Sequence, residues 1–363
     1  MRQFFKKKQN KGKKVFVGLS GGVDSALSAL ILKNEGYDVT GVFIKGWQPD
    51  WLPCTWREER RDAMRVASSL DINFISLDLE KEYKESVVDK IIEEYKKNRT
   101  PNPDILCNRA IKFGLFWEKA RLMGAHFIAT GHYAQVMKTE EGLRMYESAD
   151  EDKDQTYFLW TIREDELAHI MFPIGQMKKK DVRALAKSYK LPNANKKDSQ
   201  GICFMGSVSM DEFLSKHIEV SHGDVADANG KIIGTHKGLV FYTIGERHGF
   251  FINNKTNESR PYYVIKKDID NNILIVSDSK NEIESMSPTS VYIKDLNLIG
   301  HSYTNIKAKI RYRGDKINCN IKNEKDRTFV DFEKPVTGLS LGQSIVFYMD
   351  NMCIGGAVLD EIR

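Results

Sequence analysis

Val15-Phe16-Val17-Gly18-Leu19-Ser20-Gly21-Gly22-Val23-Asp24-Ser25 decides the fold: a β-branched run stops at a glycine, then two more glycines and two serines lead into a helix-period segment. Residues 26–34 put Leu27, Leu30 and Ile31 on one face and close near Gly36, the repeat expected of a helix packed along one side. Strand, glycine-rich turn and helix in that order make an anion cradle. Glycine lets the backbone approach a phosphate closely, the helix N-terminus adds partial positive charge, and Ser20 and Ser25 can donate to phosphate oxygens. Asp24 is positioned to help hold a magnesium ion. The turn lacks the lysine of a GxxxxGK[ST] loop and the spacing of GxGxxG, which disfavours transfer of a γ-phosphate. The bland alternative is a glycine-rich turn of no special use, and the strand and helix on either side weigh against it.

Outward from this turn, short β-branched runs at 39–44, 74–77 and 126–129 alternate with helix-period segments at 57–70, 83–95 and 108–123. Strands alternating with helices of that length predict a doubly wound parallel sheet in an α/β fold, with its ligand site beyond the carboxyl ends of the strands. After about Gly201 the texture changes: Gly, Asn and Asp turn signals separate strand-like runs at 238–244, 262–265 and 273–276. Residues 268–272 read as a hairpin connection, and 291–362 as a last β-rich stretch.

The chain has 363 residues and a formal charge of +5, so it is long enough for two or three domains and only mildly basic. An RNA partner is permitted by that charge without being demanded. No apolar run approaches the roughly 20 residues of a spanning helix, which argues against a membrane role. The five cysteines, Cys54, Cys107, Cys203, Cys319 and Cys353, are scattered and form no CxxC pair. Free thiols in a reducing, cytoplasmic setting fit better than secretion. The basic N-terminus, residues 1–14, reads as a solvated tail able to lie near phosphates.

Two cysteines stand in turn-rich surroundings. Thr100-Pro101-Asn102-Pro103-Asp104-Ile105-Leu106-Cys107-Asn108 ends where a helix begins, which predicts Cys107 at or near a helix N-terminus, favouring its thiolate, with Asp104 able to pass protons. The ordinary alternative is a buried cysteine acting as a small hydrophobe. Cys203 follows Asp198-Ser199-Gln200-Gly201-Ile202, where α/β texture gives way to β. A different chemistry would have Asp104, Cys107 and Cys203 hold an iron–sulfur cluster carrying labile sulfide.

The phosphate loop, TPNPDILCN at 100–108, ATGHYA at 129–134, DKDQTYFLW at 152–160, KKDSQGICFMG at 196–206 and TIGERHG at 243–249 follow one another in this order. In that order and over nearly the whole chain, the sequence resembles the tRNA-specific 2-thiouridylases of the MnmA family, which carry a PP-loop of the ATP pyrophosphatase type. The resemblance implies a PP-loop ATP-binding catalytic domain over 1–203, a central β-rich domain over 204–292 and a C-terminal β-barrel contacting tRNA over 293–363. It implies that ATP adenylates the 2-carbonyl oxygen of the wobble uridine, and that a Cys203 persulfide supplies the sulfur with Cys107 as nucleophile, ending in a Cys107–Cys203 disulfide. Asp104 would be the acid/base.

By the same resemblance the nucleotide is bound by Gly18, Leu19, Ser20, Gly21, Gly22, Val23, Asp24 and Ser25, by the backbone near Ile44, and by Gly131. Asn102, Pro103 and Asp104 would meet the target base. His132, Lys153, Asp154, Gln155, Arg311, Tyr312 and Gln343 would contact tRNA. The implied partners are tRNA and a sulfur-carrier protein or cysteine desulfurase, the implied cofactors ATP, Mg2+ and persulfide sulfur, and the acting species a monomer. No resident metal site is expected. The aromatic stretch 47–56 around Cys54 is expected to be a loop near the nucleotide. Two other readings stay open on the residues alone: an amide-forming ligase in which an amine displaces AMP, and a tRNA-binding protein without catalysis.

Overall fold

The structure is a computed structural model that describes residues 10–52, 55–198, 208–253 and 260–363. In chain order, β1 (Lys14–Gly18), α1 (Val23–Asn34), β2 (Asp38–Lys45), α2 (Trp56–Ser69) and β3 (Asn73–Asp78) build one half of a sheet. Next come α3 (Glu80–Tyr83) and α4 (Asp89–Lys96), joined by a π-helical turn at Lys84–Val88, then α5 (Pro103–Cys107) and α6 (Phe116–Leu122), joined by another at Asn108–Leu115. β4 (Phe127–Ala129), a hairpin of β5 (Gln135–Thr139) and β6 (Gly142–Tyr146), β7 (Ile170–Met171) and α7 (Lys179–Ser188) complete this part.

β1, β2, β3, β4 and β7 form one parallel sheet in the order β3-β2-β1-β4-β7. The chain leaves β1 on one side toward β2 and returns on the other at β4, so the switch point lies at the carboxyl end of β1, where ligands bind in such sheets. α1 is buried from Val23 to Leu32 except where it faces the loop and its C-terminus, so its face pattern is broader than a single stripe. It ends where Gly36 takes φ +88°, its N–H bonding the Lys33 carbonyl, a termination that glycine adopts without steric cost.

The remainder starts with α8 (Met210–Ser215) and continues as β8 (Gly223–Ala226), β9 (Ile232–His236), β10 (Phe251–Ile252), β11 (Tyr263–Asp268) and β12 (Ile273–Ser277), one sheet in the order β10-β9-β8-β12-β11. The hairpin expected around 268–272 is the β11–β12 connection. The strand-like run 238–244 is a correction: Leu239–Phe241 is a 3-10 turn entered through Gly238 at φ +149°. Its apolar residues are buried by packing rather than by sheet pairing, which periodicity cannot distinguish.

After α9 (Lys280–Ser285) come β13 (Ser290–Leu298), β14 (Lys307–Lys309), β15 (Ile317–Glu324), β16 (Arg327–Phe332), β17 (Ser344–Met349) and β18 (Met352–Ile362). They run β13-β16-β15-β14-β17-β18, and β13 pairs again with β18, closing a six-stranded barrel. β6 adds to β18 through Met352↔Tyr146 and Cys353↔Met145, so a hairpin from the first part of the chain extends the barrel's sheet. Behind this join, Phe16, Ile128 and Trp160 share an apolar core with Val346, Tyr348 and Cys353.

Candidate active site

β1 delivers the chain at Gly18, and the Leu19 N–H is tied to the Val42 carbonyl at 2.7 Å. The loop beyond braces itself. Ser25 Oγ donates to the Gly22 carbonyl at 3.1 Å and accepts from the Ser20 N–H at 3.3 Å, while Ser20 Oγ accepts from the Gly22 N–H at 3.3 Å. Gly21 holds φ +76°, with room for a Cβ denied by the Glu59 carbonyl at 2.8 Å, and Asn193 Nδ2 donates to its carbonyl at 3.0 Å. Gly22, the residue before α1, offers no side-chain cap, which leaves the helix N-terminus to an external anion. From the loop after β4 Gly131 closes on the same turn: a Cβ there would meet Ser25 N at 2.7 Å. Leu19 and Val23 are buried in the core, so any contribution to a nucleotide is through their backbone.

The cations absent from the loop arrive from elsewhere. Lys179 Nζ on α7 lies 2.8 and 2.7 Å from the two Asp24 oxygens, and Tyr133 OH donates to Asp24 Oδ1 at 3.0 Å. Lys179 also pairs with Asp198 at 2.8 Å, which Arg183 and Lys153 reach at 2.6 and 3.1 Å. Burial alone would raise the Asp198 carboxyl, but hydrogen bonds from Lys179 and Lys153 outweigh it and hold it down at about 2. Lys196 pairs with Asp62 at 2.7 Å beside Gly21. Sequence reasoning missed Lys179, Arg183, Lys196, Asp198 and Tyr133. One signal was legible: Lys178-Lys179-Lys180 opens a helix, where the backbone dipole disfavours cations.

Asn102 caps α5, its Oδ1 accepting from the Asp104 and Ile105 N–H groups at 3.1 Å each, with Pro103 in the first helical position. Proline fits there because no N–H is needed. Cys107 stands a full turn further in, 4% exposed, with a free thiol. The expected thiolate-favouring helix N-terminus is therefore corrected: burial pushes the Cys107 thiol up, opposed by Lys112 and a hydrogen bond with Tyr83. Burial likewise raises the Asp104 carboxyl, against Lys112. Ile44 and Cys107 belong to one apolar cluster with Leu77 and Tyr83, so the end of β2 and the thiol sit on the same side of the sheet.

Just before this turn, the Thr100 N–H donates to the Leu341 carbonyl at 2.7 Å, and its hydroxyl lies 3.4 Å from those of both Thr243 and Ser340. Arg99 donates to the Leu359 and Asp360 carbonyls at 2.9 and 3.1 Å. The segment bearing Asp104 and Cys107 is thereby tied to the barrel and to the 243–249 motif. Cys203 and the expected pairing with Cys107 lie outside the described residues, as does Cys54. Among the described residues no three Asp, Glu, His or Cys side chains gather as a metal site, and none of their helices is long and apolar enough to cross a membrane.

The residues assigned to tRNA fall into two groups. Arg311 is exposed and donates from Nη2 to the Ile244 and Gly338 carbonyls at 2.8 and 3.0 Å; Tyr312 stacks obliquely on Phe158 at 4.5 Å with the Arg313 guanidinium over its ring. Lys153 is half-buried in its pair with Asp198. By contrast His132 is buried between Phe113 and Phe172, its Nδ1 2.8 Å from Thr130 Oγ1, and burial lowers its pKa well below the usual histidine value. Asp154 is buried too, accepting from the Ser148 N–H and Thr156 Oγ1. Gln155 Oε1 accepts from the Tyr133 N–H at 2.9 Å. His132 and Asp154, both expected to contact tRNA, are buried in this structure, where they brace the protein from within. Gln343 Oε1 is buried without a hydrogen-bond partner among the described residues, a group for which a partner is expected.

Comparison with known proteins gives three adjoining family matches: a tRNA methyl transferase HUP domain over residues 13–207, a tRNA methyl transferase PRC-barrel domain over 211–278 and an aminomethyltransferase β-barrel domain over 288–359. The chain is 41% identical over 360 residues to the tRNA-specific 2-thiouridylase MnmA 1 of Geobacillus kaustophilus, spanning 97% of this chain and 96% of that one. It is 40% identical over 365 residues to the tRNA-specific 2-thiouridylase MnmA 2 of Aliarcobacter butzleri, spanning 96% and 99%. Among solved structures, a 4-thiouridine synthetase–RNA complex with bound ATP aligns with 57% of this chain and 50% of that chain at 20% identity and a TM-score of 0.37.

Proposed function

Since this chain belongs to the MnmA family of tRNA-specific 2-thiouridylases, we propose that it uses ATP to replace the 2-carbonyl oxygen of the wobble uridine in tRNA with sulfur. The domain descriptions speak of methyl transfer, but identity to thiouridylases over almost the full length is the stronger guide. The observation that carries the reading is the self-braced phosphate loop at the switch point of the sheet, with Asp104 and Cys107 on α5 and Cys107 in one apolar cluster with Ile44 at the end of β2.

In this reading Gly18 to Ser25, Gly131 and the backbone at Ile44 hold ATP, and Asp24 helps place Mg2+, which offsets phosphate charge. The uridine is turned out of its stack, less costly in a single-stranded loop than in a duplex, and meets Asn102, Pro103 and Asp104. Its 2-oxygen attacks the α-phosphorus and pyrophosphate leaves, which makes the oxygen part of an AMP leaving group. The terminal sulfur of a Cys203 persulfide then attacks carbon 2 and AMP departs. The Cys107 thiolate attacks Cys203 Sγ and displaces the base sulfur, leaving 2-thiouridine and a Cys107–Cys203 disulfide that an external thiol reduces. Burial raises the Asp104 carboxyl above its ordinary value, the direction that suits a group which must both hold and give up a proton.

Arg311, Tyr312, Lys153, Gln155 and Gln343 orient the tRNA, with His132 and Asp154 supporting them from inside. A sulfur-carrier protein or cysteine desulfurase supplies the persulfide, and the protein works as a monomer in the cytoplasm. The test is AMP release with unmodified tRNA carrying U34 and with the same tRNA carrying C34. AMP equal in amount to thiolated product with U34, and none with C34, is expected; AMP release indifferent to residue 34 would refute the substrate assignment.

A further inference from the structure

Lys179 opens α7, yet its side chain is only 12% exposed and reaches across to Asp24 in the first turn of α1. Its own N–H is held by Asp150 Oδ2 at 2.7 Å, which fixes the start of α7 against the site. The same ammonium shares Asp198 Oδ1 with Arg183 Nη2, while Lys153 takes Asp198 Oδ2. Three cations from two separate segments thus converge on one carboxylate next to a phosphate loop that has no lysine of its own. A carboxylate offers two oxygens to this set, and a pyrophosphate offers more oxygens and more charge in a similar span. The arginine fork suits paired phosphoryl oxygens.

We propose that Lys179 and Arg183 form the second half of the pyrophosphate-binding site, with Lys153 left to the tRNA, and that the Asp198 carboxylate is an internal anion occupying it when phosphate is absent. The inference rests on the ATP-splitting reading above and deepens it by naming the groups that hold the leaving group. Asp198 then competes with pyrophosphate, which lowers affinity for the product and speeds its departure. Lys179, shared with Asp24, passes from carboxylates to phosphate oxygens as the nucleotide binds.

A purely structural cluster gives a different sign. If the cations only glue α7 to the loop, removing Asp198 loosens the site and weakens pyrophosphate binding. If Asp198 is the competing anion, Asp198→Asn binds inorganic pyrophosphate about tenfold more tightly, one charge-assisted contact having been freed. Lys179→Met binds it about tenfold more weakly, with Lys179→Arg recovering most of the loss. Titration calorimetry with inorganic pyrophosphate and Mg2+, on full-length proteins whose melting curves show them folded, reads these shifts. An unchanged or weaker affinity in Asp198→Asn overturns the proposal. Should that variant not fold, Arg183→Lys replaces it: about tenfold weaker binding is expected from loss of the fork, and unchanged binding overturns the assignment. AMP formation by the unaltered protein is followed in parallel. If it makes AMP while the variants bind pyrophosphate unchanged, only this inference falls; if it neither makes AMP nor binds pyrophosphate, the ATP reading falls with it.

Discussion

Cys107 carries the most consequential single pKa shift. A thiol pushed above its ordinary range is mostly protonated at neutral pH, and only the thiolate attacks sulfur. Single-turnover thiouridine formation should therefore keep rising with pH through the ordinary thiol range of about 8.5, whereas a plateau already reached at neutral pH would contradict a buried Cys107 nucleophile. His132 makes a stability prediction of definite sign. Its folded pKa lies well below the unfolded value of about 6.5, so the unfolded state binds more protons below that pH and stability falls as the solution is acidified. Melting temperatures at pH 7 and pH 5 should differ less in His132→Gln than in the parent; an unchanged difference would show that another group carries the dependence. At this scale the glycines and serines of the loop were legible because they adjoin in sequence. Lys179 was not, since it meets Asp24 from 155 positions away.

Among the elements, β1, β2 and α1 were readable because β-branched runs and helical spacing agree with the pairing that forms. The π-helical turns at Lys84–Val88 and Asn108–Leu115 were not, because their apolar spacing mimics an ordinary helix. The addition of β6 to β18 was invisible for another reason: pairing between distant strands leaves no local mark. Contact between elements supplies two tests. In Gly131→Ala the new methyl would sit 2.7 Å from Ser25 N and push the loop after β4 off the phosphate loop, so KM for ATP should rise about tenfold while the fold is retained. An unaltered KM would mean that the loop does not hold the nucleotide. Arg99→Ala strips donors from the Leu359 and Asp360 carbonyls and should cost about 2 kcal/mol in denaturant unfolding. A loss within error would show water replacing the guanidinium.

Across the whole molecule, the parallel sheet and the barrel share one apolar core. Tyr157 OH donates to the Ser344 carbonyl and Trp160 Nε1 to Ser344 Oγ, both at 3.0 Å, and Tyr348 and Cys353 belong to the core that backs β1 and β4. A single thermal transition is expected, and a chain ended at residue 287 should not fold, since it would expose that core to water. A stable, ATP-binding fragment of that length would refute the unity. The β-rich character of the last third was plain from its turn signals, but its fusion with the sheet depends on contacts between residues far apart in sequence. That fusion ties the segment bearing Asp104 and Cys107 to the barrel through Arg99 and Thr100, and the proposed reaction requires both residues there. The most direct test of that claim is mass analysis of tRNA nucleosides after incubating the protein with ATP, Mg2+, unmodified tRNA and a persulfide donor. The proposed thiolation predicts 2-thiouridine at the wobble position, lost in Cys107→Ala and in Cys203→Ala. ATP converted to AMP with no sulfur in the tRNA, or 2-thiouridine formed undiminished by both variants, would contradict it.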